Sequence, residues 1–158
     1  MSTTFTTEEQ QHITVLKKKY PDPKAAIMPV LWMAQKKWGW LSEDVMKEVS
    51  NVMNLPYAHV LGVASFYTMY FKKPMGKHHV QVCTNVSCML LGGETLLKHA
   101  KERLGVGHNE ATADGNFSLE EVECMGACGG APMFAINETF YENATTEQLD
   151  GLLEEMTR

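Results

Sequence analysis

The chain has 158 residues, 44% of them hydrophobic and 21% charged, with a net charge of −5. That composition excludes a disordered chain and has room for one ordinary domain or two small ones. The charge is lopsided: residues 1–80 sum to +4 and residues 81–158 to −9, so the second half, which holds all four cysteines, excludes a nucleic-acid groove there.

No apolar run approaches the ~20 residues that cross a bilayer, so no direct membrane insertion is expected. The polar, acidic opening MSTTFTTEEQQ lacks an apolar core and does not read as a signal peptide. The expectation is a cytoplasmic chain. Its thiols would stay reduced, and cysteines there bind metal more often than they form disulfides.

Residues 1–72 read as helical. Thr6 or Thr7 caps a helix to about Lys19, with Ile13, Leu16 and Tyr20 at helical spacing. Pro21 ends it and Pro23 opens a second helix over 23–38, which Pro29 should kink and Gly39 should stop. Ser42 caps a third, with Val45, Met46, Val49, Val52 and Met53 on one side. Pro56 opens a fourth over about 57–67, apolar nearly all round (Tyr57, Val60, Leu61, Val63, Ala64, Phe66, Tyr67). A helix without a polar face is buried in its own core or in a partner. Trp32, Trp38 and Trp40 are expected to anchor helix packing or a subunit contact. His59 reads as an interface histidine, and the eleven methionines as packing filler.

The pattern changes at Lys72-Lys73-Pro74-Met75-Gly76-Lys77, a linker that divides the chain into 1–74 and 75–158. His79–Cys83 then reads as a strand and Met89–Leu104 as one helix. Asp114-Gly115 is a turn, and Phe117–Glu123 is a strand whose alternation slips at Glu121. Met133–Ile136 and Thr139–Glu142 are short strands joined at Asn137-Glu138. Thr145 or Thr146 caps a last helix with Leu149, Leu152, Leu153 and Met156 inside. The order β-α-β-β-β-α is a small sheet covered by helices, giving an α+β chain: a helical bundle, then a sheet domain.

The cysteines fall in two groups, Cys83-x4-Cys88 and Cys124-x3-Cys128, each where a strand runs into a loop. Two such loops at one sheet edge offer four thiolates to one point, which suits soft metals and iron–sulfur clusters. Gly126, Gly129 and Gly130 let backbone N–H groups approach sulfur and leave space for a bulky cluster. Thr84 and Ser87 could also donate to sulfur, or simply bond to the local backbone. Zinc on four cysteines is the main competitor, although zinc loops usually contain an x2 pair. Two disulfides would need an oxidising compartment, and a dithiol oxidoreductase would want C-x-x-C at a helix start. His78 and His79 could mimic Rieske ligands, but four cysteines are already at hand. Gly105-Val-Gly107 lacks the third glycine of a dinucleotide fingerprint and no P-loop is present, so no NADH binding is expected of this chain alone.

Three stretches carry a resemblance: Val63-Ala-Ser-Phe-Tyr67, Cys83-Thr-Asn-Val-Ser-Cys88 and Glu123-Cys-Met-Gly-Ala-Cys-Gly-Gly-Ala-Pro-Met133. With them goes Trp38-Gly-Trp-Leu41. The chain resembles the E-subunit family of NADH:quinone oxidoreductase, the thioredoxin-like [2Fe–2S] component of respiratory complex I. Relatives of that family occur in NAD-linked hydrogenases and formate dehydrogenases. The resemblance implies a helical N-terminal domain followed by a thioredoxin-like [2Fe–2S] ferredoxin domain, with Cys83, Cys88, Cys124 and Cys128 ligating one cluster. It implies a partner subunit that binds FMN and NADH, further complex I subunits that pass electrons to quinone, and a place on the cytoplasmic face of the inner membrane through the complex. It implies an electron-transfer subunit with no active site of its own. Pro132 stands where such folds often place a cis proline.

Glu121 and Glu123 precede Cys124. For a cluster there, one net negative charge at ~8 Å and effective dielectric ~20 costs the reduced state ~2 kcal/mol, or ~90 mV. The expectation is therefore a low-potential centre. The remaining readings are the equivalent subunit of a hydrogenase or formate dehydrogenase, and a zinc-stabilised interaction module.

Overall fold

The computed structural model describes residues 3–158. Its backbone separates into two compact units, Met1–Pro74 and Met75–Arg158.

The first unit is helical. Helix α1 (Thr7–Lys17) starts at a capping box, in which Thr6 accepts from Glu9 N–H and Glu9 reaches back to the Thr6 N–H at 2.6 Å. It stops short of Tyr20, which is exposed, so only Ile13 is fully buried along it. The expected 23–38 helix is broken, but not at Pro29. Pro23–Ala26 form a 3-10 turn and α2 runs Ile27–Trp38. Pro29 thereby falls in the first turn of α2, where its missing N–H has no intrahelical bond to lose. Gly39, at φ +82°, ends α2. Ser42 caps α3 (Glu43–Met53), which Asn54 closes in the left-handed region.

Helix α4 (Tyr57–Phe66) turns Val60 and Ala64 into the core and leaves Leu61 and Phe66 outside. Behind it, residues 69–71 are fixed by two side chains that hydrophobic patterning does not reveal. The buried Gln35 amide donates to Met69 O (2.9 Å) and accepts from Phe71 N (2.6 Å). Tyr70 is fully buried and donates to Met28 O at 2.9 Å. Burial, with Tyr67 beside it, pushes the Tyr70 phenol up to about 12.

The second unit is a five-stranded sheet in the order β2-β3-β1-β4-β5. The strands are β1 (His78–Cys83), β2 (Glu110–Ala111), β3 (Phe117–Val122), β4 (Phe134–Ile136) and β5 (Thr139–Tyr141). Only β1 and β3 run parallel, His78 opposite Phe117 through Cys83 opposite Val122. One face packs Val80, Val82, Leu119, Phe134 and Ile136 against α6 (Gly93–Leu104) and α7 (Thr146–Thr157) through Leu96, Leu97, Leu149 and Leu153.

Two differences from the sequence expectation matter for the site. The single helix over 89–104 is two helices, α5 (Val86–Leu90) and α6, parted at Gly92 with φ +102°. The two-residue β2, paired with β3 across the Asp114-Gly115 turn, is an added strand.

Candidate metal centre

Each cysteine pair hangs from the end of one of the two parallel strands. Cys83 is the last residue of β1, and Cys124 follows β3 by two. Because Cys83 is level with Val122, the two loops leave the same edge together. Thr84 N–H donates to Val122 O (3.1 Å) and Cys83 N–H to Met133 O (3.3 Å), which draws the far end of the Cys124–Cys128 loop back to β1. The Ala131–Pro132 peptide just before Met133 is cis. Cys88 is carried by α5, whose N-cap is Asn85.

The four thiols are free and divide by depth: Cys83 and Cys88 are buried, Cys124 and Cys128 exposed. Cys83 and Cys88 pack with Ala131 and Met133, with Met125 and Ala127 at the margin. Burial pushes the Cys88 thiol above its usual value, and the neighbouring Cys83 and Cys128 add to the shift. Binding a soft metal there must therefore expel protons. Cys83 Sγ lies 3.8 Å from Glu123 O, and Gly126 N–H donates to Cys124 Sγ at 3.4 Å from a backbone at φ +76°. Among the described residues, no three His, Cys, Asp or Glu side chains are gathered tightly enough to hold a single ion. Two pairs of thiols on facing loops, with a backbone N–H directed at sulfur, fit the four-thiolate binding of a two-iron cluster.

The surrounding residues correct several expectations. Thr84 does not serve sulfur: its hydroxyl donates to Glu121 Oε1 at 3.0 Å, and Lys101 lies 3.9 Å from the same carboxylate. Glu121 thus shares its charge, while Glu123 is exposed. Gly126 and Gly129 face open space, but the position of a Gly130 side chain is filled by Glu142. Gly93, half of a Gly92-Gly93 turn signal that the single-helix reading passes over, lies against both Cys83 and Cys88: a Cβ there would stand 2.8 Å from Cys83 O and 2.9 Å from Cys88 C and O.

The sheet face opposite the core carries a buried polar group. His79 Nε2 lies 2.9 Å from Glu120 Oε2 and His79 Nδ1 2.8 Å from Ser118 Oγ, while Gln81 donates to Glu120 Oε2 at 2.8 Å. A carboxylate only accepts, so the proton is on Nε2. His79 is therefore engaged with the sheet. Burial raises the Glu120 carboxyl, but hydrogen bonds from His79 and Gln81 and the charges of His79 and His108 outweigh it, and the net shift is downward. A depressed folded value means stability that is present above the unfolded value and lost as pH falls through the folded one. Glu120→Leu should leave two donors without an acceptor and cost about 2–4 kcal/mol in chemical denaturation. Glu120→Gln should flatten the acid limb of stability against pH; an unaltered acid limb would show that the carboxylate contributes nothing.

Residues 13–157 match the family of thioredoxin-like [2Fe-2S] ferredoxins. Over 142 residues the chain is 42% identical to the E subunit of NADH-quinone oxidoreductase from Rickettsia bellii (strain RML369-C), covering 88% of this chain and 85% of that protein. Over 145 residues it is 41% identical to the second E subunit of NADH-quinone oxidoreductase from Rhizobium meliloti (strain 1021), covering 92% and 86%. The chain belongs to the E-subunit family of NADH-quinone oxidoreductase, within the thioredoxin-like [2Fe-2S] ferredoxins. As a member it is an electron-transfer subunit of an oxidoreductase and takes a [2Fe–2S] cluster.

Among solved structures, the NAD+-reducing [NiFe]-hydrogenase in the air-oxidised state superposes with a TM-score of 0.70 at 22% identity. The match covers 81% of this chain and 22% of that one, so this chain spans about a fifth of its length. At that identity the likeness is one of fold. No helix of the described residues is long and apolar enough to cross a membrane.

Proposed function

We propose that the chain is the [2Fe–2S] electron-transfer subunit of an NADH-quinone oxidoreductase, holding its cluster on Cys83, Cys88, Cys124 and Cys128. The observation that carries this is the pairing of two cysteine loops at the shared edge of β1 and β3 in a chain with no other gathering of thiols. When bound, the cluster accepts and returns one electron. Cys83 and Cys88 form the buried floor of the site and keep water from it. Cys124 and Cys128 form the exposed rim through which a partner is approached. The Gly126 N–H and the protein dipoles around the loop favour added negative charge, while the acidic half opposes it and keeps the potential low.

The electron partner is an FMN-binding flavoprotein subunit that oxidises NADH, with further subunits leading to quinone. The assembly lies on the cytoplasmic face of the inner membrane. The outer side of α4 and the turn after it support a protein partner for the helical unit: Leu61, Tyr67 and Met69 are exposed, and Phe66, with the Tyr67 ring edge-on at 5.0 Å, is 78% exposed, an aromatic anchor open to a partner. Phe66→Asp should weaken co-purification with the flavoprotein by ~30-fold or more, about 2 kcal/mol. Undiminished recovery would remove α4 from the interface.

Anaerobic purification with iron, sulfide and zinc assays tests the centre. About two irons and two sulfides per chain are expected, silent in electron paramagnetic resonance when oxidised and giving a spin-half signal after dithionite. A colourless, zinc-loaded chain that also refuses iron and sulfide on reconstitution would overturn the reading.

A further inference from the structure

Gly130 follows Cys128 by two residues, and its empty side-chain position is already occupied. A Cβ there would overlap Oε2 of Glu142 and stand 2.5 Å from its Cδ and 2.6 Å from its Cβ. Stem and carboxylate both lie along the loop, so this is more than the touch of a flexible tip. The backbone on either side is clamped. Asn143 N–H donates to Gly130 O at 2.6 Å and Ala144 N–H to Pro132 O at 2.8 Å, while Gly130 N–H donates to Ala127 O at 3.0 Å. Asn143, at φ +49°, turns the chain from β5 onto the loop. Glu142–Ala144 thus form a brace over the segment that leaves Cys128.

We propose that Glu142 is a positioning residue for the Cys124–Cys128 half of the centre, fixing the path of the loop by its side chain and lowering the midpoint potential by its carboxylate. This rests on the reading that the four cysteines hold the cluster. The site gains negative charge on reduction, so an anion beside the loop disfavours the reduced form, by an amount that the exposure of Glu142 to solvent reduces. Glu121 shares its charge with Lys101, whereas Glu142 forms no ion pair among the described residues. The tight contact also gives Gly130 a reason to be glycine that has nothing to do with room for the cluster.

The test measures iron retention and the midpoint potential, by resonance-monitored titration, on the full chain and four variants. Glu142→Gln keeps the shape and removes the charge; it should retain iron and shift the potential upward. Gly130→Ala should speed iron loss severalfold, because the methyl group must displace Glu142. In a Glu142→Gly background the same Gly130→Ala change should cost much less, since glycine removes the Cβ along with the carboxylate and vacates the space. An unchanged potential in Glu142→Gln, or an equal cost of Gly130→Ala with and without Glu142, would overturn the proposal. A wild-type chain that takes up no iron and sulfide would instead bring down the cysteine reading, and this inference with it.

Discussion

Replacing Cys88 by serine should abolish cluster binding, whereas Cys124→Ser should leave a measurable fraction bound. Cys88 is only 2% exposed and packs with Cys83, Ala131 and Met133, while Cys124 is exposed at the rim. A ligand to iron must be an anion, and a serine hydroxyl gives up its proton far less readily than a thiol. Burial raises that cost further, because the site has little water to stabilise the charge. At the rim, solvent and the Gly126 N–H that reaches Cys124 Sγ lower it. The shorter C–O bond compounds the difference, since Cys88 sits on α5 and cannot follow a retreating iron without moving the helix. Iron per chain after identical reconstitution is the measurement. Equal losses at the two positions would show that burial does not rank the ligands.

Much of this arrangement is legible because it rests on local chemistry. Thr6, Ser42 and Thr145 cap helices as their side chains dictate, and Gly39 ends α2 in the left-handed region that glycine tolerates. The change from alternation to a small-residue loop places both cysteine pairs at strand ends. What escapes depends on contacts distant in sequence. The apolar run Leu90-Leu91 joins smoothly to Leu96-Leu97 in a helical pattern that hides the turn signal of Gly92-Gly93, where Gly92 takes φ +102° and Gly93 packs on Cys83 and Cys88. The regular polar positions of β3 hold a signal of their own: Ser118 and Glu120 are buried, and they are level with His79 and Gln81 on β1. Reading that signal needs the register, because polar residues at alternate positions otherwise imply a wet face. The fourth helix reads as buried in its own core or in a partner. It is half in the core, and its other side is open.

The same register and packing make Gly93→Ala strongly damaging to the centre, with cluster affinity expected to fall about 10–100-fold. The added methyl would stand 2.8 Å from Cys83 O and 2.9 Å from Cys88 C and O. All three are backbone atoms, held by Cys83 N–H to Met133 O on one side and Leu91 N–H to Cys88 O on the other, so neither can turn aside as a flexible side chain would. Relief comes only from sliding α6 away from the sheet edge, which would part β1 from α5 and with them the two buried thiols. Overpacking of this kind costs about 1–3 kcal/mol in folding stability, and the ligand geometry takes the rest. Gly151→Ala is the matched control: the same added methyl, also in a helix of this unit, with nothing within 4 Å of it. That change should keep the iron and raise stability by about 0.5–1 kcal/mol through helix propensity alone. Should Gly93→Ala bind iron as well as Gly151→Ala does, α6 would have to be free to move, and the close packing that seats Cys83 and Cys88 would not be what holds the centre in place.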